Sequence, residues 1–245
     1  MRAERDTKAT KHSAFSRAGV LAIALTLSGA SSAMAADLVT PAPAAAYDWS
    51  GFYLGGVMGY GWGKDRTTEY DTATGAANGM FFDYNPKGMV GGLKAGVNYQ
   101  MSDFVLGAEA DIEMTDIQGT FIDRVQNLGR GDDTYDWQAS LRARMGMAFD
   151  RVLVYGTGGF AAGKISNAYT LVPYAITETM SDVRTGWTAG AGVDYVVTNN
   201  VIAGIEWRYT QFNDFKNVSQ SAFPGITGGQ EPSFNTLRVS LSYKF

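Results

Sequence analysis

The sequence predicts an all-β fold, namely an eight-stranded antiparallel up-and-down transmembrane β-barrel. Three observations lead to this prediction. Eight segments alternate apolar and polar residues with period two, as strands do when one face meets lipid and the other a polar interior. The connections between these segments are alternately short and long. The last strand ends on a bare aromatic residue, Phe245, after apolar residues at every second position.

The N-terminal region has the pattern of a secretory signal peptide. Residues 1–17 carry five basic and two acidic residues, and an apolar core of nine residues follows at 19–27. That core is too short to span a bilayer, which takes about 20 residues. Small residues at positions 33 and 35 predict cleavage after Ala35. We therefore predict a signal peptide at 1–35, a periplasmic linker at 36–48 and the barrel at 49–245.

Composition excludes several classes of function. The predicted mature chain has 15 basic and 22 acidic residues, a net charge of −7, which argues against a nucleic-acid partner. The chain has no Cys, and its single His, His12, lies in the predicted signal peptide. Thiolate metal sites are therefore excluded, and the usual general base of hydrolases is missing. The sequence predicts a protein that is not an enzyme and has no cofactor.

The first four segments each have one apolar face. These faces hold Phe52, Leu54, Met58, Tyr60 and Trp62; Met89, Leu93, Ala95, Val97 and Tyr99; Phe104, Leu106, Ala108, Ala110 and Ile112; and Trp137, Ala139, Leu141, Ala143, Met145, Met147 and Phe149. The opposite faces hold Lys94 in the second segment, Glu109, Asp111 and Glu113 in the third, and Arg142 and Arg144 in the fourth. We predict that the apolar faces meet lipid and the charged faces line the bore.

The last four segments follow the same rule with one less regular member. The fifth, 152–165, alternates poorly; we predict that Leu153 and Tyr155 face lipid and that Phe160 shares the other face with Lys164. The apolar faces of the other three hold Trp187, Ala189, Ala191, Val193, Tyr195 and Val197; Val201, Ala203, Ile205, Trp207 and Tyr209; and Leu237, Val239, Leu241, Tyr243 and Phe245. Their charged faces hold Asp194, then Glu206 and Arg208, then Arg238.

The connections orient the barrel. Three short turns lie at 101–103, 150–151 and 198–200, whereas the segments 63–88, 114–135, 166–185 and 213–234 are long and polar. Outer-membrane barrels have short periplasmic turns and long extracellular loops. The sequence therefore places both ends of the barrel domain on the periplasmic side.

A soluble eight-stranded barrel of the lipocalin type is the main alternative fold. It would place the large apolar residues inside and the charges outside. Aromatic residues at the ends of the apolar faces favour the membrane barrel, because interfacial girdles have this composition. These aromatic residues are Trp62, Tyr99, Trp137, Phe149, Tyr195, Tyr209 and Tyr243.

Six ordered motifs resemble those of the small porin-family outer-membrane β-barrels of α-proteobacteria, which are related in fold to the OmpA membrane domain. They are WSGFYLGG at 49–56, LGAEADI at 106–112, GTGGFAAG at 156–163, GWTAGAG at 186–192, EWRY at 206–209 and SYKF at 242–245. The resemblance covers nearly all of the predicted mature chain. It implies a barrel in the outer membrane of a Gram-negative bacterium, with lipid and lipopolysaccharide as surroundings.

The resemblance also implies partners and a range of functions. Tyr243 and Phe245 resemble the C-terminal signal that the outer-membrane assembly machinery recognises. Members of the family are described as structural envelope proteins, surface antigens, porins and haemin-binding proteins. We therefore expect a structural envelope protein with at most slow passage of small solutes. The alternative is a surface protein that binds haemin or a macromolecular partner through its extracellular loops.

Ten charged residues on the predicted inner faces are the candidate site. They are Lys94, Glu109, Asp111, Glu113, Arg142, Arg144, Asp194, Glu206, Arg208 and Arg238. Alignment from the periplasmic ends predicts that Glu109 lies near Arg144 and Asp111 near Arg142. Paired carboxylates also occur in glycosidases, but neighbouring arginines keep carboxylates ionised, which is poor for a general acid. The pattern therefore favours a salt-bridge ladder that fills a narrow bore.

The predicted loops carry weaker signals. Tyrosine can ligate haem iron, and five tyrosines lie in or near these loops: Tyr70, Tyr84, Tyr135, Tyr169 and Tyr174. The neighbouring carboxylates of Asp132 and Asp133 could bind calcium weakly. Neither pattern is specific, and solvated loop surface is the favoured interpretation.

Overall fold

The structure is a computed structural model that describes residues 47–122 and 129–245. The predicted signal peptide and nearly all of the predicted linker lie outside the described residues. The strands are β1 (Gly51–Asp71), β2 (Ala77–Tyr84), β3 (Lys87–Met101), β4 (Phe104–Ile122), β5 (Gly129–Phe149), β6 (Val152–Leu171), β7 (Ile176–Val196), β8 (Val201–Phe212), β9 (Phe215–Val218), β10 (Ile226–Gln230) and β11 (Ser233–Lys244). A short 3-10 helix, Val172–Tyr174, connects β6 and β7.

Eight of these strands close into a ring, as predicted. The antiparallel order is β1-β3-β4-β5-β6-β7-β8-β11, and β11 pairs back onto β1. At this seam Gly59 lies opposite Arg238 and Gly55 opposite Ser242. Ring closure leaves no free edge in the eight-stranded ring, which a membrane-spanning sheet requires because lipid cannot bond to backbone groups.

The short turns are confirmed. Ser102 and Asp103 connect β3 to β4, and Asp150 and Arg151 connect β5 to β6. Ser102 and Asp150 have positive φ angles of 57° and 52°, which two-residue hairpins use to match the twist of their strands. The indole N–H of Trp49 donates a hydrogen bond of 3.1 Å to the carbonyl of Asp150, so the start of the barrel lies at this end.

The long polar connections, by contrast, are mostly strand. β1 continues for 21 residues to Asp71, and its outer part pairs with β2 on one side and β10 on the other. β6 and β7 remain paired as far as Leu171 and Ile176. The loop interpretation failed because the outward face of these extensions is polar, so the apolar stripe that marks a membrane strand is missing there. Buried residues such as Ile117 and Tyr135 continue on the inward face.

The fifth predicted segment has the opposite orientation to the prediction. Leu153 and Tyr155 are buried in the bore, whereas Phe160 is 77% exposed on the outer wall. Lys164 also faces outward, where its Nζ lies 3.2 Å from the Asp136 carboxylate. The strand is rich in glycine on both faces, so its sequence carries little contrast between inside and outside.

Within their predicted membrane-spanning parts, the other strands place apolar side chains outside and charges inside. Leu141 is 62% exposed, whereas its neighbour Arg142 is 1% exposed. This arrangement rules out the lipocalin-type alternative, which needs the opposite polarity. Within the described residues, no helix is both long enough and apolar enough to cross a membrane.

Candidate functional site in the barrel bore

All ten predicted bore residues are buried inside the ring. Period-two geometry aims Glu109, Asp111 and Glu113 inward from β4, and the same alternation brings the others in from five further strands. Each of the ten is at most 6% exposed. Five are basic and five acidic, so together they carry no net charge. We call these ten residues the ionic layer.

Arg142 is the centre of the ionic layer. Its guanidinium donates to Glu109, to Asp111 at 2.7 Å and to Glu206 at 2.5 Å. It also donates to the hydroxyl of Thr157 at 3.1 Å. Charge-assisted hydrogen bonds to several carboxylates hold such a group well when it is fully removed from water.

Two further arginines cross the bore from the far wall. Arg208 contacts Asp111 at 3.1 Å and Glu113 at 2.5 Å. Arg238 contacts Glu206 at 2.7 Å and Asp111 at 3.5 Å, and it also donates to Glu113. The carboxylates of β4 are therefore joined to β8 and β11 across the bore.

Arg144 and Lys94 complete the ionic layer toward the periplasmic end. Arg144 binds Asp194 and lies 3.6 Å from Glu109. Its guanidinium also stacks 3.6 Å from the ring centre of Tyr155. Lys94 lies 3.6 Å from Glu109, whose Oε2 accepts a hydrogen bond of 2.7 Å from the hydroxyl of Tyr53.

The observed register differs from the predicted alignment by two residues. On the β4–β5 ladder, Glu109 lies opposite Arg142 rather than Arg144, and Asp111 lies opposite Ser140. The side chains still bridge both predicted pairs, because long arginines reach diagonally. The ten predicted charges form one connected layer. The sequence did not identify Tyr53 and Tyr155 as part of it, because their strands are rich in glycine.

Apolar clusters lie above and below the ionic layer. The lower cluster contains Trp49, Val105, Ala148, Leu153, Tyr155, Val196 and Ile202. The upper cluster contains Val90, Ile117, Tyr135, Ala161, Ile165, Phe212, Phe215 and Phe234. Side chains of the described residues thus fill the bore through the membrane and beyond its extracellular side.

A second polar layer lies above the upper cluster, in the strand extensions. The carboxylates of Asp65 and Asp133 both contact the hydroxyl of Tyr84, which lies 2.7 Å from Asp65. Tyr135 donates to Asp65 at 3.1 Å, and the Asn167 amide donates to Asp133 at 2.5 Å. Burial raises the pKa of Asp65 to about 6 and that of Asp133 to about 7. We call Asp65, Tyr84 and Asp133 the acidic layer.

The prediction that Asp65, Tyr84 and Asp133 lie in solvated loops is wrong, because all three are buried among paired strands. Asp132 and Asp133 lie on opposite faces of β5, so they cannot bind one calcium ion together. Asp132 faces outward and pairs with Arg130 at 2.7 Å. Tyr84 and Tyr135 are buried, whereas Tyr174 is 72% exposed. The Lys216 ammonium group lies over Tyr70, 4.3 Å from the centre of the tyrosine ring.

A small cavity of about 60 Å³, partly open to solvent and also lined by Glu69 and Arg130, lies at the extracellular end. Thr67, Tyr169 and Asn217 supply polar groups, and Phe82, Phe223 and Ile226 supply apolar walls. The Tyr169 hydroxyl accepts a hydrogen bond of 3.2 Å from Gln230. Burial raises the pKa of Tyr169, which disfavours the phenolate form.

Glu178 anchors the loop between β9 and β10. Its carboxylate accepts hydrogen bonds from the Ser219 hydroxyl at 2.8 Å and from the backbone N–H groups of Gln220, Ser221 and Ala222 at 3.0–3.2 Å. Partial burial opposes its ionisation, but these donors outweigh that effect and lower the pKa of Glu178 to about 2.

The predicted assembly residues lie at the end of the closing strand. Tyr243 and Phe245 are 50% and 73% exposed on the outer wall, and their rings pack edge to face at 5.2 Å. The Phe245 N–H donates a hydrogen bond of 3.0 Å to the carbonyl of Phe52. The C-terminal residue is thus tied to the first strand while its ring remains accessible.

Comparison with known proteins agrees with this architecture. Residues 22–245 match the family model of the outer membrane protein beta-barrel domain. The chain is 35% identical over 232 residues to the 31 kDa outer-membrane immunogenic protein of Brucella melitensis, covering 88% of this chain and 95% of that protein. It is 30% identical to the 25 kDa outer-membrane immunogenic protein of Brucella abortus, with coverages of 92% and 97%.

Among solved structures, the outer membrane protein OprG from Pseudomonas aeruginosa is similar in fold. It superposes with a TM-score of 0.51 at 12% identity, covering 80% of this chain and 97% of that chain. At this identity the likeness concerns the fold alone. It supports a barrel of the outer-membrane type.

Proposed function

The chain belongs to the outer membrane protein beta-barrel family of Gram-negative bacteria, and we propose that it is a structural barrel whose bore does not conduct. It lies in the outer membrane. Its apolar outer wall would contact membrane lipid and the acyl chains of lipopolysaccharide. Its extracellular strand extensions would form the exposed surface, as suits a chain similar to a protein named an outer-membrane immunogenic protein.

The ionic layer is the observation that carries this proposal. An eight-stranded barrel is only just wide enough for side chains to fill it, and here ten charged side chains cross it between two apolar clusters. A hydrated ion would have to displace arginines that each hold two or three carboxylates. The same pairing supports a role other than catalysis, because carboxylates held by guanidinium groups make poor general acids.

Planar-bilayer recording of the purified, refolded protein tests the closed bore. We expect no conductance approaching that of 16-stranded porins, which contain an open aqueous channel. A matched liposome-swelling assay should show slow or no uptake of small sugars. Large, stable channels in the wild-type protein would refute the proposal and favour a true porin.

A second candidate function is the binding of a small ligand at the extracellular end. The cavity beside Tyr169 combines apolar walls with hydroxyl and amide groups, which suits a small, largely apolar molecule with one hydrogen-bonding group. Haemin fits the cavity less well, because an iron-ligating tyrosine must ionise and burial disfavours this for Tyr169. The exposed hydroxyl of Tyr174 would be a more accessible ligand for haemin iron.

A haemin titration followed by absorbance separates these possibilities. Tyr174→Phe should abolish any specific spectral shift if haemin binds there, and Tyr169→Phe should not. A shift that is unchanged in both variants would exclude tyrosine ligation at these sites. If neither haemin nor a panel of small amphipathic molecules binds, the structural role remains the whole function.

For assembly, we propose that the exposed rings of Tyr243 and Phe245 are read by the outer-membrane assembly machinery. Deletion of Phe245 should lower the outer-membrane yield in cells more than it lowers refolding in detergent. Deletion of a residue from the 219–223 loop serves as the control, because it leaves β11 intact. Equal losses in both assays would reduce the role of Phe245 to strand stability.

A further inference from the structure

The acidic layer contains more hydrogen-bond contacts than its tyrosine can supply with protons. The Tyr84 hydroxyl lies within hydrogen-bonding distance of both Asp65 Oδ2 and Asp133 Oδ2. A phenol carries one proton and can donate one hydrogen bond. Two ionised carboxylates are acceptors only. The second contact is therefore a hydrogen bond only if one of the two carboxyl groups carries a proton and donates it to the Tyr84 oxygen.

The other donors indicate where the proton resides. Asp65 Oδ2 already accepts from Tyr135, and a donation from Tyr84 adds a second bond to the same carboxylate. Asp133 Oδ1 accepts a bond of 2.5 Å from the Asn167 amide, and Asp133 Oδ2 accepts a longer bond of 3.3 Å from the Gln230 amide. A protonated oxygen keeps a lone pair for that longer bond, so Asp133 Oδ2 is placed to carry the proton and donate it to Tyr84. The chain of hydrogen bonds then runs from Asp133 through Tyr84 to Asp65.

We propose that Asp65, Tyr84 and Asp133 bind one shared proton in mildly acidic solution and that this proton closes the extracellular end of the barrel. Asp65 belongs to β1, Tyr84 to β2 and Asp133 to β5, so one proton links three strands. Loss of that proton leaves two buried anions around a single phenol proton. Their repulsion would push β1 and β2 away from β5.

No cation among the described residues forms an ion pair with the carboxylates of the acidic layer, although Lys64 and Arg66 line a cavity beside Asp65 and Tyr84. Arg66 points outward to Asp83 at 2.7 Å, and neither carboxylate of the acidic layer takes part in an ion pair there. The groups that face it are Tyr135 from β5, Asn167 and Tyr169 from β6, Asn217 from β9, and Gln230 and Glu231 at the end of β10. Glu231 adds negative charge, which further favours the protonated state.

The sign of the pH dependence follows from proton binding. The raised pKa values of Asp65 and Asp133, about 6 and about 7, mean that the closed state binds more protons than the open state between their ordinary pKa of 3.8 and these values. Closure is then favoured in acid and weakens as pH rises toward 7. For one proton the change approaches tenfold in the opening equilibrium per pH unit.

Infrared difference spectroscopy of the refolded full chain tests the proposal. Wild-type protein should show the C=O stretch of a protonated carboxyl group that disappears with a midpoint near pH 7. Asp133→Asn should lose this band yet remain closed, because the asparagine amide can donate to the Tyr84 oxygen in place of the proton. Asp132→Asn removes the same charge from the neighbouring, outward-facing residue and should keep the band.

Hydrogen exchange of the β1 extension and β2, corrected for the intrinsic pH effect, gives the second measurement. Wild type and Asp132→Asn should lose up to about tenfold protection per pH unit between pH 5 and 7, and Asp133→Asn should lose none. A carboxyl band that titrates only near pH 4, or equal behaviour of the two asparagine variants, would overturn the proposal. The wild-type titration alone decides the point if Asp133→Asn fails to refold.

Discussion

The ionic layer and the acidic layer are built by the same device and differ in what neutralises them. In the ionic layer, Tyr53 crosses Gly96 to reach Glu109; a Cβ at Gly96 would lie 2.4 Å from the tyrosine ring. In the acidic layer, Tyr84 crosses Gly119 to reach Asp133; a Cβ at Gly119 would lie 2.6 Å from its ring. Each glycine is the direct cross-strand neighbour of the carboxylate that the tyrosine reaches.

The difference lies in the cations. Glu109 is surrounded by Lys94, Arg142 and Arg144, whereas Asp65 and Asp133 have no cationic partner among the described residues. The carboxylates of both layers are buried, so each anion needs compensation. In the membrane the compensation is a fixed guanidinium charge that pH does not change. In the extracellular extension it is a proton, which the surrounding medium can remove.

Removal of the central cation should have the largest effect. Arg142→Met leaves Glu109, Asp111 and Glu206 with fewer partners, and loss of one member of a buried ion pair costs about 3–5 kcal/mol. Denaturant unfolding of the barrel in lipid vesicles measures this change in the free energy of unfolding.

Arg144→Met should also destabilise the barrel. The double change Arg144→Met with Asp194→Leu should be milder, because Arg144 is the described ion-pair partner of Asp194. Equal losses in the single and double variants would show that charge pairing is not what stabilises the layer.

A guanidinium on the opposite face of β5 would have no carboxylate partner. Leu141→Arg places a second arginine beside Arg142 but facing lipid, where no carboxylate meets it. The expected loss is about 2–4 kcal/mol near the bilayer midplane. Denaturant unfolding of Leu141→Arg from lipid vesicles should show this loss in the free energy of unfolding. A Leu141→Arg protein as stable as wild type would contradict the assigned lipid-facing side.

Gly96 and Gly119, over which the two tyrosines pass, allow the layers to be disturbed separately. Gly96→Ala and Gly119→Ala each force a tyrosine ring to move, and overpacking of this kind typically costs about 1–3 kcal/mol. Only Gly119→Ala should also remove the pH dependence of exchange in the β1 extension, because only it displaces Tyr84. Gly158→Ala is the matched control, since a Cβ there meets nothing within 4 Å. Loss of the pH dependence in Gly96→Ala would mean that the two layers are coupled.

The smallest expected effect concerns Glu178. Its carboxylate is stabilised by hydrogen bonds from backbone N–H groups, not by a cation or a proton. Its lowered pKa means that its contribution is constant above pH 4.5 and is lost as pH falls toward 2. Glu178→Gln should cost less than about 1 kcal/mol because the site is solvated. Faster hydrogen exchange confined to residues 219–223 at pH 7 should reveal it. Exchange unchanged at these residues would show that the loop does not need its anchor.

The sequence allowed the membrane part of the fold to be predicted because lipid imposes a strong contrast on each strand. The ten members of the ionic layer were identifiable because a charge that alternates with lipid-facing residues can only point inward. The relative register of β4 and β5 could not be predicted, because it depends on barrel shear and on turn geometry, which a period-two pattern does not contain. The predicted orientation of β6 was inverted because glycines occupy both of its faces.

The acidic layer was missed for a related reason. Above the membrane the outward face becomes polar, so Asp65 and Asp133 stand among other polar residues and no contrast marks them as buried. Only pairing of the strand extensions shows that they point inward. Tyr84 lies opposite Asp65 and packs over Gly119, and neither contact can be read from the sequence without the strand register.

Ring closure at the β11–β1 seam has a consequence for the order of folding. Arg238 reaches the bore only when β11 docks onto β1, and it is the cation that meets Asp111, Glu113 and Glu206 together. Until then the ionic layer holds five anions and four cations. Contacts between chain ends close late because the loop between them is long. The last strand to pair therefore delivers the last cation, so the barrel reaches electrical neutrality in the same step in which it loses its open edges.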